Sequence, residues 1–403
     1  MRSEPSKPGK RSAPRATTKP PVKAVKGGKG KPGSKPEPVS VKKPEPTAEY
    51  IIETVPGLEQ LMSAEVRERF PSPPKKERDE PGVLRLAFSG KAERLLALRL
   101  AVAVFRWRMH PVPRPTGLLG HQYFSAILSD CRAAIALHPE GSFTSLRLAA
   151  AGRATEVMAR LASELAKALN LTVDNTGEET QTLLVRLRPL QKKVEKPPRR
   201  RSRDDAPEVD EFYTVWESLV SLSPRPLSTR AWRVSNYPGA VNACVGYAMA
   251  KLAGESEHFL NLCAGSGTIL IEREQKTAVG CDTSKAARTA AAANGVELKD
   301  WDATAVPLDD GWADAIAADL PFGQRIGSHK DNVKLYPALL TEAARLLRPG
   351  GTGVFLTHEI RLFEETLGSQ WKIERVIPLA LGGMHPRLYV LERLAPKKGA
   401  RKA

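Results

Sequence analysis

The sequence predicts an α/β protein of two folded units: an α+β unit over residues 48–190 and an open, mostly parallel sheet with flanking helices over residues 212–395. Three observations carry this reading. Short apolar runs alternate with helical patterns through residues 212–395, the order that builds a mostly parallel sheet. Within that stretch the strand-like run Phe259-Leu260-Asn261-Leu262-Cys263 leads into Ala264-Gly265-Ser266-Gly267 and a helical pattern from Thr268. The basic excess lies outside both units. The 403 residues carry a formal net charge of +17, but residues 1–47 alone hold 13 basic and 3 acidic residues. Residues 191–203 hold 7 and 1, and residues 397–403 add four basic residues, which leaves a near-neutral body.

Residues 1–47 contain ten prolines, five glycines and no aromatic residue, too little apolar surface to offset the entropy of ordering, so a disordered basic tail is expected. Such a tail is either a solvated arm or an attractor for nucleic acid. Glu49 to Glu53 reads as a strand, Gly57 to Phe70 as an amphipathic helix, and Gly82 to Phe88 as a strand. Lys91 to Trp107 reads as a helix ending in Arg106-Trp107-Arg108. Ser145 to Leu148 (strand), Thr155 to Leu169 (helix) and Leu183 to Leu187 (strand) complete the unit. A Lys/Arg/Pro-rich linker, 191–211, precedes the second unit, and residues 396–403 form a short basic tail.

Cys131, Cys244, Cys263 and Cys281 include no C-x-x-C pair, which excludes a zinc ribbon and a disulfide framework and fits a reducing compartment. No apolar run is long enough for a transmembrane helix, and the basic N-terminus lacks the apolar core of a secretory signal. A soluble, cytoplasmic, metal-free monomer is expected.

The chemistry concentrates after His258. Glycines at a strand-to-helix turn let backbone approach a ligand, and the helix start offers unpaired N–H groups. An acidic series follows: Asp282 after Ala278-Val279-Gly280-Cys281, Asp302 twenty residues on, and Asp319 after the apolar run Ala313 to Ala318. Each is placed at the carboxyl end of a strand, where open α/β sheets bind ligands. A dinucleotide fingerprint needs a small residue at position 270, which is Leu270, yet the turn alone leaves any adenosine-containing ligand open. In Asp319-Leu320-Pro321-Phe322-Gly323 an acceptor carboxylate, a proline-stiffened backbone and an aromatic face beside a nucleoside pocket form a grip for a planar amine. His329 and His358 read as surface or internally satisfied histidines. Arg106, Arg108, Arg186 and Arg188 are candidates for an RNA-facing strip, and Gly382 to Pro386 for a loop lining the base pocket.

Residues 232–360 resemble a class I S-adenosylmethionine-dependent methyltransferase domain, and more specifically the THUMP-domain tRNA guanine-N2-methyltransferases. The resemblance rests on Trp232 to Ala243, Asn261 to Glu272, Gly280-Cys281-Asp282, Asp302-Ala303-Thr304, and Asp319 to Gly327 running on to Leu335-Tyr336-Pro337. Residues 48–190 resemble, more loosely, the ferredoxin-like and THUMP portion of that family. The resemblance implies a Rossmann-like catalytic domain, S-adenosylmethionine as cofactor and tRNA, or another structured RNA, as partner. It implies that Gly265 and Gly267 let the methionine end lie over the turn, that Asn261, standing where the family commonly has Asp, accepts from the methionine amino group, and that Cys263 and Thr268 belong to the cofactor-binding set. Asp282 is implied to hold the ribose and Asp302 and Ala303 the adenine, while Pro238-Gly239-Ala240 either closes over the methionine moiety or is a plain loop-to-helix start. Asp319, Leu320, Pro321 and Phe322 are implied to present the target amine for methylation. Guanine N2 in tRNA is the expected target, with ribosomal RNA guanine, DNA adenine, or a catalytically silent RNA-binding role as alternatives.

Overall fold

The structure is a computed structural model that describes residues 47–70, 80–177, 180–193, 212–273, 277–322 and 328–395. The expected disordered tail, most of the expected linker and the C-terminal tail lie outside these residues.

The first sheet has seven strands. In chain order its elements are β1 (Ala48–Thr54), α1 (Glu59–Arg69), β2 (Val83–Phe88), β3 (Ala101–His110), α2 (His121–Ile135), β4 (Ser145–Ala150), α3 (Glu156–Leu169), β5 (Thr172–Val173), β6 (Thr182–Lys193) and β7 (Phe212–Ser221). The strands lie in the order β2-β1-β3-β7-β6-β4-β5. Two expectations are corrected here. Lys91 to Trp107 is not one helix: a short 3-10 turn, Ala92–Ala97, gives way to β3. The reason lies in Ala101–His110, where Val, Phe and Trp suit a pleated half-buried surface better than a helix and pairing with β1 and β7 fixes the choice. Phe212 to Ser221, assigned from sequence to the second unit, pairs with β6 and β3 and so belongs to the first sheet.

The expected arginine strip is divided by strand alternation. Arg106 and Arg108 point to the helix-covered face, where both pair with buried Asp130 of α2 at 2.6 and 2.7 Å. Phe105 and Trp107 point the other way, and Arg186 and Arg85 lie over their rings at 4.4 and 4.1 Å. Arg186 and Arg188 are further paired with Glu53 and Glu80.

The second sheet has six strands in the order β12-β13-β11-β10-β8-β9. Its elements are α4 (Ala243–Leu252), β8 (Phe259–Leu262), α5 (Thr268–Arg273), β9 (Ala278–Gly280), α6 (Lys285–Ala293), β10 (Ala313–Asp319), α7 (His329–Leu346), β11 (Leu347–Thr357), α8 (Ile360–Thr366), β12 (Trp371–Pro378) and β13 (Arg387–Arg393). The pairs β9–β8, β8–β10 and β10–β11 are parallel, whereas β13 runs antiparallel to both β11 and β12. All four residues of β8 and the run Ala315–Ala318 of β10 are buried, as strands covered on both faces must be. From β8 the chain steps outward to β9 and then returns to place β10 on the other side. That reversal opens a crevice at the carboxyl ends of β8 and β10, the position where such sheets take ligands.

The two sheets share one hydrophobic core: Leu95, Ala101 and Leu118 of the first lobe belong to the same buried cluster as Cys244, Val245 and Leu379 of the second. A buried polar knot reinforces the seam. Glu272 of α5, 1% exposed, accepts from Arg99 at 2.6 Å, from Arg230 at 2.9 Å and from the Trp232 indole at 3.2 Å. With three donors and both oxygens engaged, a buried carboxylate is compensated.

Candidate active site

Cys263, Ala264, Gly265, Ser266 and Gly267 carry the chain from β8 to α5. Cys263 takes the left-handed conformation, φ 49°, unusual for a residue with a side chain and a mark of backbone strain beside a ligand crevice. Gly265 also has positive φ, 55°, and a side chain there would enter open space, so the glycine keeps the backbone accessible from the crevice. At Gly267 the limit is packing: a Cβ would fall 2.2 Å from Cγ1 of Val296.

The acidic residues converge on this turn. Asp282, two residues past β9, accepts the N–H of Gly265 at 2.9 Å through one oxygen and the N–H of Ser284 at 2.9 Å through the other. It thus shapes the turn and still has lone pairs for two further donors, the requirement of a ribose diol. Asp302 accepts both the N–H and the hydroxyl of Thr304 through Oδ1, at 2.8 and 2.7 Å, while Oδ2 has no partner among the described residues. Ala303 beside it is buried. Burial, then the charges of Asp282, Cys281, Asp319 and Asp302, push the Cys263 thiol well above its usual range. Cys263 is therefore a protonated thiol surrounded by three aspartates rather than a nucleophile.

Asn261, fully buried in β8, donates through Nδ2 to the carbonyls of Leu262 at 3.1 Å and Ala317 at 3.0 Å. An amide suits this place, where a carboxylate would set lone pairs against two carbonyl oxygens. Its Oδ1 is buried with no partner, so an acceptor remains.

The segment before α4 is fastened to the same region. Tyr237-Pro238-Gly239-Ala240 forms a turn, with the Ala240 N–H on the Tyr237 carbonyl at 3.0 Å and Gly239 at φ 79°, the proline and glycine standing where a type II turn requires them. Asn294, just past α6, receives the N–H groups of Val234 and Ser235 at 3.0 and 2.9 Å. Arg233 donates to Thr268 Oγ1 at 2.8 Å.

Across the crevice, β10 ends at Asp319. Burial pushes its carboxyl up to about 7, and Oδ1 is enclosed with no hydrogen-bond partner among the described residues. The next residues are held by the neighbouring strand and helix. The Leu320 N–H donates to the Leu356 carbonyl at 2.9 Å. The Pro321 carbonyl accepts from Asn332 Nδ2 and from Tyr336 Oη, both at 2.8 Å. Tyr336 also meets Thr357 Oγ1 at 2.9 Å, and Asn332 meets Glu359 Oε1 at 3.1 Å. Asn332, Tyr336 and Thr357 are wholly buried. The Pro321 carbonyl is thereby held by two side chains of α7, which Thr357 at the end of β11 and Glu359 just beyond it hold in turn. Sequence reasoning noted Tyr336 as part of a motif but missed this clamp, because its members meet only when β10 and β11 pair. Phe322 lies against the His358 ring, centroids 6.0 Å apart. Gly323 to Gly327 of the motif lie outside the described residues.

The Gly382–Pro386 loop is a tight hairpin end, with Leu381 and Met384 exchanging backbone hydrogen bonds at 2.9 Å. Just before it, the Ala380 N–H donates to the Pro56 carbonyl of the first lobe at 3.1 Å. Among the described residues there is no cluster of His, Cys, Asp or Glu able to hold a metal ion, and no helix is long and apolar enough to cross a membrane.

Comparison with known proteins points the same way as this geometry. Residues 274–380 match a family model described as an RMKL-like methyltransferase domain (UPF0020). A curated relative in Mus musculus, tRNA (guanine(6)-N(2))-methyltransferase THUMP3, is 39% identical over 104 residues, 25% of this chain and 21% of the relative. The chain thus spans about a fifth of that relative's length. The Thermus thermophilus tRNA (guanine(6)-N2)-methyltransferase is 28% identical over 366 residues, 85% of this chain and 98% of that one. Among solved structures, TrmN from Thermus thermophilus aligns over 86% of this chain and 99% of its own with a TM-score of 0.62 and 25% identity. SMU.472, titled a putative methyltransferase complexed with SAH, shares the fold with a TM-score of 0.58 at 14% identity, covering 87% of this chain and 99% of that one.

Proposed function

We propose that this chain, which is similar to tRNA (guanine(6)-N2)-methyltransferases, transfers a methyl group from S-adenosylmethionine to the exocyclic N2 of a guanosine in tRNA. The observation that carries the reading is Asp319: a carboxylate oxygen buried without a partner, at the ligand end of β10, followed by a clamped backbone and an aromatic ring.

The residues of the crevice fit the cofactor. Gly265 leaves room over the turn, Asn261 Oδ1 is an unclaimed acceptor, and Asp282 and Asp302 keep lone pairs for a ribose and an adenine amine. Bound there, S-adenosylmethionine supplies an electrophilic methyl on a positively charged sulfur. Guanine N2 is a weak nucleophile because its lone pair is delocalised into the ring. Asp319 and the Leu320 carbonyl accept its two hydrogens and draw the nitrogen toward a pyramidal, attacking form. As N2 bonds to the methyl carbon and the carbon–sulfur bond breaks, one N2 proton passes to Asp319 or to water. The desolvation that lifts the Asp319 carboxyl makes it a better proton acceptor than an exposed one. Phe322 stacks on the base, and the clamp on Pro321 holds that face in place, which is where orientation lowers the barrier. An amine engaged in a base pair is inaccessible, so the target nucleotide enters unpaired or flipped.

Residues 48–190 and the basic segments outside the described residues are assigned to tRNA binding. The relatives named for guanine 6 make position 6 the first to assay. The test is transfer of labelled methyl to unmodified tRNA followed by nucleoside mass spectrometry. N2-methylguanosine is the expected product; N6-methyladenosine, or no transfer, contradicts the reading.

A further inference from the structure

Three histidines of the molecule have evident partners. His110 meets Ser218 at 2.8 Å, His138 meets the Leu222 carbonyl at 2.7 Å, and His329 meets Glu359 at 2.5 Å. His358 does not: its Nδ1 is buried and has no hydrogen-bond partner among the described residues. A ring nitrogen enclosed in this way has lost its water and gained nothing in return, which is unfavourable unless something that enters the site completes it.

Its position says what enters. β11 runs parallel to β10 with Leu356 opposite Asp319, and the Leu320 N–H is bonded to the Leu356 carbonyl. His358 lies two residues beyond that pairing, and Phe322 three residues beyond Asp319, so both strands deliver an aromatic ring to the same end of the crevice. The rings sit 6.0 Å apart, inclined at 39°. Asp319 Oδ1 and His358 Nδ1, both buried and unpartnered among the described residues, therefore belong to the same paired strand ends as the Phe322 ring on which the methyltransfer reading lays the base.

We propose that His358 is a substrate-contacting residue whose Nδ1 hydrogen-bonds an edge of the aminopurine held against Phe322, while Asp319 engages its amine. A neutral imidazole can accept at Nδ1 in one tautomer and donate in the other, and guanine offers both kinds of partner beside N2. The inference rests on the methyltransfer reading and adds a second polar contact to the target base. It also replaces the sequence expectation that His358 is satisfied internally.

The experiment uses the full chain with S-adenosylmethionine and unmodified tRNA, measuring single-turnover transfer at saturating tRNA and cofactor affinity by calorimetry. His358→Phe keeps a ring against Phe322 and removes the nitrogen; transfer should slow about tenfold or more, the worth of one buried hydrogen bond. His358→Asn places an amide near the position of Nδ1 and should recover most of that loss. Cofactor affinity should be unchanged in both, which separates loss of a base contact from misfolding. Wild-type transfer by His358→Phe, or a His358→Asn protein no faster than His358→Phe, overturns the proposal while leaving the methyltransfer reading standing. A wild-type protein that forms no N2-methylguanosine overturns both.

Discussion

Asp282 and Asp302 differ from Asp319 in what already satisfies them. The first two, on the side assigned to the cofactor, are bonded to backbone N–H groups and a hydroxyl, from their own loops and, for Asp282, also from the Gly265 turn. Asp319, on the side assigned to the target base, has an enclosed oxygen with no partner and a carboxyl lifted to about 7 by burial. One half of the crevice is built to bind and is stable as it stands. The other is held ready at a cost in stability, by a clamp that fixes backbone while leaving the reactive oxygen unpaid. The cofactor side keeps a strained backbone at Cys263 and an unclaimed amide oxygen on Asn261, but the desolvated carboxyl stands on the half where charge moves during the reaction.

The largest effect that could break this division is at Asp319. Asp319→Ala should lower single-turnover transfer by on the order of a thousandfold, as removal of a preorganised transition-state contact does, with cofactor affinity within about twofold of wild type. A comparable loss of cofactor affinity would show that the two halves are not separate. Asp282→Ala should do the reverse. Cofactor binding should weaken by ~1–3 kcal/mol, read by calorimetry, because one buried acceptor for the ribose is lost and the Gly265 N–H is freed. If Asp282→Ala binds cofactor as wild type does, that side has been wrongly assigned.

Much of the binding half was legible in the sequence, because its parts are local: a strand, a glycine turn, and acids that follow strands at short range. Asp319 to Phe322 was legible for the same reason. The clamp was not. Asn332, Tyr336, Thr357 and Glu359 lie 11 to 38 residues beyond Pro321 and meet its carbonyl or one another only through the pairing of β10 with β11 and the packing of α7. His358 was read as an ordinary histidine since an absent partner cannot be seen in a sequence. In the first lobe, β3 was mistaken for a helix because Leu, Ala and Arg run up to it, and pairing on both sides overrides that local preference. β7 was separated from its sheet because the basic linker looked like a domain boundary. The strands on either side of it nevertheless pair from Val185 to Lys193.

The central claim, that Asp319 is a desolvated acceptor at the reacting end of the crevice, is tested most directly by the pH dependence of single-turnover methyl transfer. Burial raises the carboxyl to about 7, so below that pH it is protonated and has lost much of its power to accept an N2 hydrogen. The rate at subsaturating cofactor and tRNA, which reports the groups of the free protein, should climb with pH through about 7 and level off above it, and Asp319→Ala should lose that climb along with most of its rate. A wild-type rate that stays flat as the pH passes from well below 7 to well above it would contradict the account.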